Sequence, residues 1–201
     1  QPGSILCKLG SDYVPGRTGL GKIYVFGADS TNSRTATEAN LAGRKTVLRK
    51  IRKEKKRITH LQPEVGFRES YRIRGETVVT VDDYTSGRAF KGAVCYAFYP
   101  VDLHTRGGVR PKPLARGTVP TIPLSALVPK GSRNIIVAGR CVSSDRLANS
   151  GLRVQAACMA MGQAAGAAAA LAVAGDTTPL KVRLSDIRAM LRKHGAIIPK
   201  I

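Results

Sequence analysis

The feature that most constrains this chain is a strand-like segment followed by a loop and a long helix of small residues. The continuous apolar run Asn134–Gly139 is bounded by turn residues, which predicts a buried strand of the kind found in parallel sheets. A polar loop from Cys141 to Gly151 follows. The next segment is built from Ala, Gly and Met, and we predict a helix that begins near Arg153. Strand, loop and helix in this order indicate the α/β class.

This unit also predicts a nucleotide-type ligand site. Gly139 has no side chain, so a ligand can approach its backbone closely. The first turn of the following helix presents unpaired N–H groups to an anionic group, and Arg153 adds a full positive charge there. Gly162 and Gly166 predict a flat helix face that packs closely on a sheet. An ordinary βα unit without a ligand has the same spacing, so spacing alone leaves both interpretations open.

A resemblance to a known family favours the ligand site. From Asn134 to Gly166 the chain, which includes IIVAGRCVSSDRLANSGLRVQAACMAMGQAAG, resembles the C-terminal signature of FAD-dependent oxidoreductases with a glutathione-reductase-type flavin domain. Residues 65–76 and 99–104 resemble interior segments of the same family in the same order. The resemblance implies two parts. Residues 119–201 would be the C-terminal part of a Rossmann-like FAD-binding domain, and residues 1–118 a mixed α+β segment of a substrate or cap domain.

The resemblance also implies which residues hold the cofactor, FAD. In such proteins the strand end lies along the FAD, and the helix N-terminus points at the pyrimidine edge of the flavin. There the helix dipole and the arginine would stabilise negative charge on the reduced ring. The implied cofactor-binding residues are Ala138, Gly139, Arg140, Gly151, Leu152, Arg153 and Val154.

Two further pairs of residues are implied as catalytic or substrate-binding. The resemblance places Asp102 and His104 on the active-site side, where His104 would exchange a proton during hydride transfer. A structural histidine fits the same position. Arg68 and Arg72 match an arginine-rich segment that would hold an anionic substrate, and an internal salt bridge with Glu69 is the competing interpretation.

The chain departs from the family at one point. No G-x-G-x-x-G fingerprint occurs, and Gly16–Gly21 has the wrong spacing for one. Three interpretations follow: the chain is a fragment that has lost its N-terminal half, another polypeptide supplies that half, or the chain no longer works as an oxidoreductase. On the first two, the chain takes hydride from an unidentified organic substrate once an N-terminal dinucleotide-binding segment completes it. An N-terminal FAD-binding polypeptide is then an expected partner, besides FAD and the substrate.

The net charge of +20 supports a second hypothesis. Nine of the basic residues lie between Arg44 and Arg57, in a segment that we predict to be one amphipathic helix over residues 36–57, with Thr35 and Glu38 as a capping box. A solvated face and a contact with phosphates both explain such a run. The alternative function is a noncatalytic basic binding or assembly subunit for an acidic protein or nucleic acid. Nucleic acid ranks lower, since no aromatic residues or known RNA- or DNA-binding motif accompany the charge.

The cysteine spacing and the apolar segment 154–174 argue against a metal site and a membrane span. Cys7, Cys95, Cys141 and Cys158 stand 88, 46 and 17 residues apart, which predicts free thiols in a reducing cytoplasm and no metal site. Cys141 follows Arg140 directly, but by this spacing no other cysteine is placed to exchange with it. Residues 154–174 are too weakly hydrophobic for a convincing membrane span, so we expect no membrane partner.

Overall fold

The computed structural model of the chain describes residues 3–10, 19–25, 27–55, 57–61, 63–102, 104–105, 108–109 and 111–201. The chain divides into two units: unit 1 is Gln1–Ser70 with His104–Gly108, and unit 2 is Tyr71–Leu103 with Val109–Ile201. Unit 2 includes residues 71–102 and 111–118, and the expected domain boundary after residue 118 stays a prediction. Which part serves as flavin-binding or cap domain stays a prediction. The mixture of helices and strands confirms the α/β class.

Unit 1 is built on an antiparallel sheet of three strands. Strand β1 (Gly3–Gly10) lies between β2 (Gly19–Val25) and β3 (Arg57–Leu61). Helix α1 (Ser33–Glu54) contributes Ala39 and Val47 to a small core that includes Val25 and Val65, and Gly43 of the same helix is also buried. The Asn40 side chain accepts a hydrogen bond from the Val65 backbone N–H at 2.6 Å, which anchors the helix to the segment after β3. The buried stripe of α1 is narrow, so most of the helix surface is exposed.

Helix α1 starts three residues before the predicted position and also ends three residues earlier. Asn32 is its N-cap, and the Asn32 side chain accepts hydrogen bonds from the N–H groups of Arg34 at 3.0 Å and Thr35 at 3.2 Å. The capping role predicted for Thr35 is therefore wrong, since its hydroxyl donates to the Asp29 carbonyl at 2.7 Å. Asparagine is as strong a cap as threonine, and the earlier one is used.

Unit 2 is organised around helix α4 (Gln155–Ala174) and a short antiparallel strand pair. Strand β4 (Ala93–Tyr96) pairs with β7 (Thr121–Pro123), and α4 packs on β4. Helix α5 (Leu184–Lys193) packs on α4, and the Arg188 guanidinium donates to the Ala93 carbonyl at 2.8 Å. The two-residue strands β5 (His104–Thr105) and β6 (Gly108–Val109) pair with each other; β5 belongs to unit 1, and β6 stands where the division between the units falls. The core combines the small side chains of α4 with larger ones such as Ile122, Leu152 and Ile187.

Two short helices frame the start of α4. Helix α2 (Val81–Ser86) is capped by Thr80 and Asp83, each of which bonds the backbone N–H of the other. Helix α3 (Arg146–Leu152) replaces most of the polar loop predicted between Cys141 and Gly151, and Asp145 is its N-cap. One Asp145 oxygen accepts from the Ala148 N–H at 2.8 Å, and the other accepts from the Val81 N–H. Asp145 thus fixes the first turns of α2 and α3 together.

The buried strand predicted over Asn134–Gly139 is wrong. These residues form no strand; the Val137 N–H donates to the Leu127 carbonyl at 2.8 Å, and Ile135 is 57% exposed. A strand needs a ladder of hydrogen bonds to a neighbour. Strand β7 is paired with β4, and the described residues offer no neighbour to this segment.

The flat packing face predicted for α4 from Gly162, Gly166 and the alanines around them is wrong for the two glycines, although Ala164, Ala165, Ala167 and Ala168 are buried. Gly162 and Gly166 are exposed, and a methyl group added to either would meet no atom within 4 Å. The buried face instead carries alanines with Met161, which is 0% exposed. Among the described helices α4 alone has the length and hydropathy of a membrane span, and buried core helices share those properties. Here the small side chains, not the glycines, give the close packing.

One glycine does require its missing side chain. A methyl group on Gly151 in α3 would lie 2.5 Å from the Tyr84 hydroxyl oxygen, and both residues are buried. We predict that Gly151→Ala lowers the free energy of unfolding of the chain by about 1–3 kcal/mol through overpacking. Gly162→Ala is the matched control, expected to raise it by about 0.5–1 kcal/mol because alanine is the better helix former. Urea unfolding followed by circular dichroism measures both, and equal effects would contradict this packing role.

Candidate functional site

The junction between α3 and α4 presents free backbone donors. Arg153 ends α3, and Val154, in an extended conformation, begins α4 without any side-chain cap. The first bonded N–H of α4 is that of Cys158, which donates to the Val154 carbonyl at 2.9 Å. Within the described part of the chain, the N–H groups of Ala156 and Ala157 have no acceptor. The N-terminus of a 20-residue helix therefore offers partial positive charge to a ligand.

A cavity of about 900 Å³ opens beside this helix terminus. Val154, Ala156 and Ala160 of α4 form one wall, and the aromatic residues Phe98 and Tyr99 after β4 lie in another. Phe98 is 69% exposed, which is unusual for a large apolar side chain. A concave apolar surface beside a few directed polar groups is the usual form of a cofactor or ligand site.

Arg153 and Asp102, predicted as cofactor-binding and catalytic respectively, lie together in unit 2. Arg153 is 9% exposed, and its guanidinium donates to the Asp102 carbonyl at 3.0 Å. The Asp102 N–H in turn donates to the Ser150 hydroxyl in α3 at 2.9 Å. The contact holds the segment after β4 against the end of α3, and it keeps a positive charge close to the first turn of α4. Neither side chain lines the cavity.

The predicted segment Ala138–Gly139–Arg140 lies against a different side of α4. Gly139 has a φ of +93°, in the region that favours glycine, and a methyl group there would lie 3.9 Å from the Cys158 sulfur. Because successive helix residues are about 100° apart, Cys158 points away from Ala156 and Ala160. The Arg140 carbonyl accepts from the Asn149 side chain at 3.1 Å. The structure thus brings this segment to the start of α4 but not into the cavity wall.

Two of the predicted cofactor residues have a packing role. Leu152 is fully buried, and Gly151 contacts the ring of Tyr84. The Tyr84 hydroxyl donates to the Tyr99 carbonyl at 2.7 Å, so this buried ring connects α3 with the cavity wall. Burial raises the pKa of Tyr84 well above the usual range of a phenol, and the Tyr99 hydrogen bond opposes that shift only in part. Their direct contact with a cofactor stays a prediction.

The remaining predicted site residues are divided between the units. Arg68 and His104 belong to unit 1, whereas Arg72 and Asp102 belong to unit 2. Arg68 and Arg72 are both partly buried. The side chain of His104 lies outside the described residues, and its role stays a prediction. No group of three or more potential metal ligands occurs in the part of the chain that the structure describes.

Sequence reasoning missed the aromatic wall of the cavity. Tyr96, Phe98 and Tyr99 fall within four residues, in a chain whose aromatic content is 5%. This local concentration of aromatic residues was the one sequence signal that could have predicted the wall. Their exposure on a cavity wall could not be predicted, because an apolar run such as Ala93–Val101 fits a fully buried strand equally well.

Comparison with known protein families shows to which family this chain belongs. A sequence model described as FAD dependent oxidoreductase matches residues 28–191, which include the α3–α4 junction and most of the cavity wall. The chain belongs to the FAD-dependent oxidoreductase family. No curated protein and no solved structure matches the chain. The match confirms the predicted FAD-dependent oxidoreductase family, with FAD as cofactor and flavin-linked redox chemistry as the general function, while the glutathione-reductase type of the flavin domain stays a prediction.

The described residues fit a flavin at the start of α4. An isoalloxazine ring is flat and largely apolar, with carbonyl oxygens at its pyrimidine edge. The unbonded N–H groups of Ala156 and Ala157 match those oxygens, and the aromatic and alanine side chains of the cavity match the ring faces. This FAD-dependent oxidoreductase therefore carries a donor set of the correct chemistry for the ring half of its cofactor.

Tyr84 gives a test of the contact that supports this site. Since its pKa is raised on folding, the unfolded chain loses the Tyr84 proton first as the pH rises above about 10. The stability contributed by the protonated phenol is complete below that pH and declines above it. We predict that Tyr84→Phe costs about 1–2 kcal/mol at pH 7, because the Tyr99 carbonyl loses its donor. This loss in the free energy of unfolding should be smaller above pH 10 than at pH 7. Urea unfolding of both proteins at the two pH values measures it. An equal loss at both pH values would contradict this account.

Proposed function

We propose that this chain is the C-terminal part of an FAD-dependent oxidoreductase in which the N-terminus of α4 and the adjoining cavity receive the isoalloxazine ring. The observation that supports this most is the coincidence of an uncapped helix terminus with an apolar cavity, inside the segment that matches the family. Neither feature alone is specific. Together they provide hydrogen-bond donors for the polar edge of a flavin ring and apolar side chains for its faces.

The proposed chemistry is hydride transfer from an organic substrate. When bound, FAD supplies the hydride acceptor. The backbone N–H groups of Ala156 and Ala157 orient the pyrimidine edge and stabilise the negative charge that reduction places there. Arg153 adds a positive charge, and its bond to the Asp102 carbonyl keeps that charge in place. The apolar cavity wall excludes water from the ring.

The roles of the other residues follow from the family resemblance. Asp102 and His104 are proposed to hold and move the substrate proton, and Arg68 and Arg72 to bind an anionic group of the substrate. Asp102 is 8% exposed, so this role needs its carboxylate to reach the substrate from a buried position. We assign residues 119–201 to a Rossmann-like FAD-binding domain and residues 1–118 to a substrate or cap segment, in a cytoplasmic enzyme. An N-terminal dinucleotide-binding segment is proposed to supply the ADP half of the site.

The proposed isoalloxazine site can be tested with lumiflavin, a ligand that needs only the part of the site that binds the ring. Lumiflavin lacks the ribityl and ADP groups, so the chain alone should bind it and quench its fluorescence. FAD should bind with similar affinity to the chain alone. FAD should bind more tightly, and stay bound through gel filtration, once a separately expressed dinucleotide-binding segment of the family is added. Absence of binding for both flavins, with and without that segment, would refute the proposal.

A matched pair of α4 variants localises the flavin. Ala160 lines the cavity, whereas Ala174 is exposed at the far end of the same helix. We predict that Ala160→Phe weakens lumiflavin binding at least about tenfold, which corresponds to about 1.4 kcal/mol, because the new ring fills the site. Ala174→Phe should bind like the unaltered chain. Fluorescence titration gives both constants, and equal affinities for the two variants would place the flavin elsewhere.

The exposed face of α1 favours a second candidate function, a basic binding or assembly subunit. Only Ala39, Gly43 and Val47 of this helix are buried, and its many cations are mostly exposed. Charge complementarity would attract an acidic protein or a nucleic acid. On this interpretation the helix binds its partner without any flavin chemistry.

A charge-reversal pair tests this surface. We predict that Lys45→Glu with Arg49→Glu on α1 lowers the salt concentration at which the chain elutes from heparin, because local cations attract the polyanion. Arg192→Glu with Lys193→Glu on α5 changes the net charge equally and should shift the elution less. Equal shifts would show that total charge alone governs the binding, with no dedicated surface on α1.

A further inference from the structure

Cys141 and Cys158 stand 17 residues apart in the sequence, and each thiol lies near the turn at Ala138 and Gly139 in the folded chain. The Cys141 thiol lies 3.6 Å from the Ala138 carbonyl oxygen. The Cys158 sulfur, in the first turn of α4, lies 3.9 Å from the position that a methyl group on Gly139 would occupy. Ala138 and Gly139 are adjacent residues, so the two thiols lie near the same short segment of backbone.

The electrostatics of the two thiols agree with this geometry. Burial raises the pKa of the Cys158 thiol, the cation of Arg140 opposes that shift, and the neighbouring Cys141 adds to it. Arg140 is therefore close enough to favour the thiolate of Cys158, and Cys141 close enough to disfavour it. Both cysteines are free and only partly buried. By contrast Cys95 is 3% exposed, and burial raises its pKa to about 12.

We propose that Cys141 and Cys158 form a redox-active dithiol that closes to a disulfide beside Gly139 when the protein meets hydrogen peroxide. In the first step the Cys141 thiol takes an oxygen atom from peroxide, which gives a sulfenic acid and one water. In the second step the Cys158 thiol attacks that sulfur, the new S–S bond forms, and the hydroxyl group leaves as a second water. Two thiols are oxidised and one peroxide is reduced. An external thiol such as dithiothreitol reverses the reaction.

The position of the arginines makes this pair easy to detect. Trypsin cleaves after Arg140, Arg146 and Arg153, so Cys141 falls in the peptide 141–146 and Cys158 in the peptide 154–181. The full-length chain is treated with a small excess of hydrogen peroxide, its remaining thiols are alkylated in acid, and it is digested without reductant. We expect one cross-linked species of these two peptides, lighter than their sum by two hydrogen atoms and absent after dithiothreitol.

Variants and the competing thiols complete the test. Cys141→Ser and Cys158→Ser should each abolish the cross-link, whereas Cys7→Ser should leave it at the level of the unaltered chain. Because burial raises the pKa of Cys158, the cross-link should also form faster at pH 9 than at pH 7. The unaltered chain decides the result even if a variant fails to fold. Oxidation of Cys141 to sulfinic acid with Cys158 still reduced, or a disulfide of either residue with Cys7 or Cys95, would overturn the proposal.

Discussion

The contact between the Tyr84 ring and the Gly151 backbone is the constraint on which the candidate site depends. Helix α3 can approach the ring only because residue 151 lacks a side chain. The same ring donates its hydroxyl hydrogen to the Tyr99 carbonyl, so the segment after β4 is held at a fixed distance from α3. Arg153 and Ser150 then bond the backbone of Asp102 in the same segment. The start of α4 and the aromatic wall are therefore positioned by one set of buried contacts.

These contacts explain how much of the site the sequence could predict. The long helix after Arg153 was predicted within two residues of its start, because alanine and methionine, which dominate this run, are strong helix formers. The family was predicted from the length of the matching segment, and the matching family model confirms it. The meeting of Asp102 with Arg153 could not be predicted, because it joins residues 51 positions apart through a backbone carbonyl. Every residue has a backbone carbonyl, so the residue type at a position does not indicate whether that carbonyl accepts a hydrogen bond from a distant side chain.

The two wrong predictions near the site share one physical cause. Both the strand at Asn134–Gly139 and the flat face at Gly162 and Gly166 were inferred from local patterns that need a neighbour. Apolar runs become strands only beside another strand, and small residues give close packing only against another element. In the described residues Ile135 is 57% exposed, and both glycines are open to solvent. The local pattern is present, but the described part of the chain does not supply its partner.

The exposed apolar residues of unit 2 are relevant to the proposed N-terminal segment. Besides Ile135, unit 2 exposes Phe98 at 69%, Met159 at 74% and Ile197 at 83%, and the last three all line the cavity. Large apolar residues gathered on one exposed surface usually mark a binding surface, because their hydration is costly. A flat ring covers only part of a cavity of about 900 Å³. The remaining apolar surface could bind a further polypeptide such as the proposed N-terminal segment.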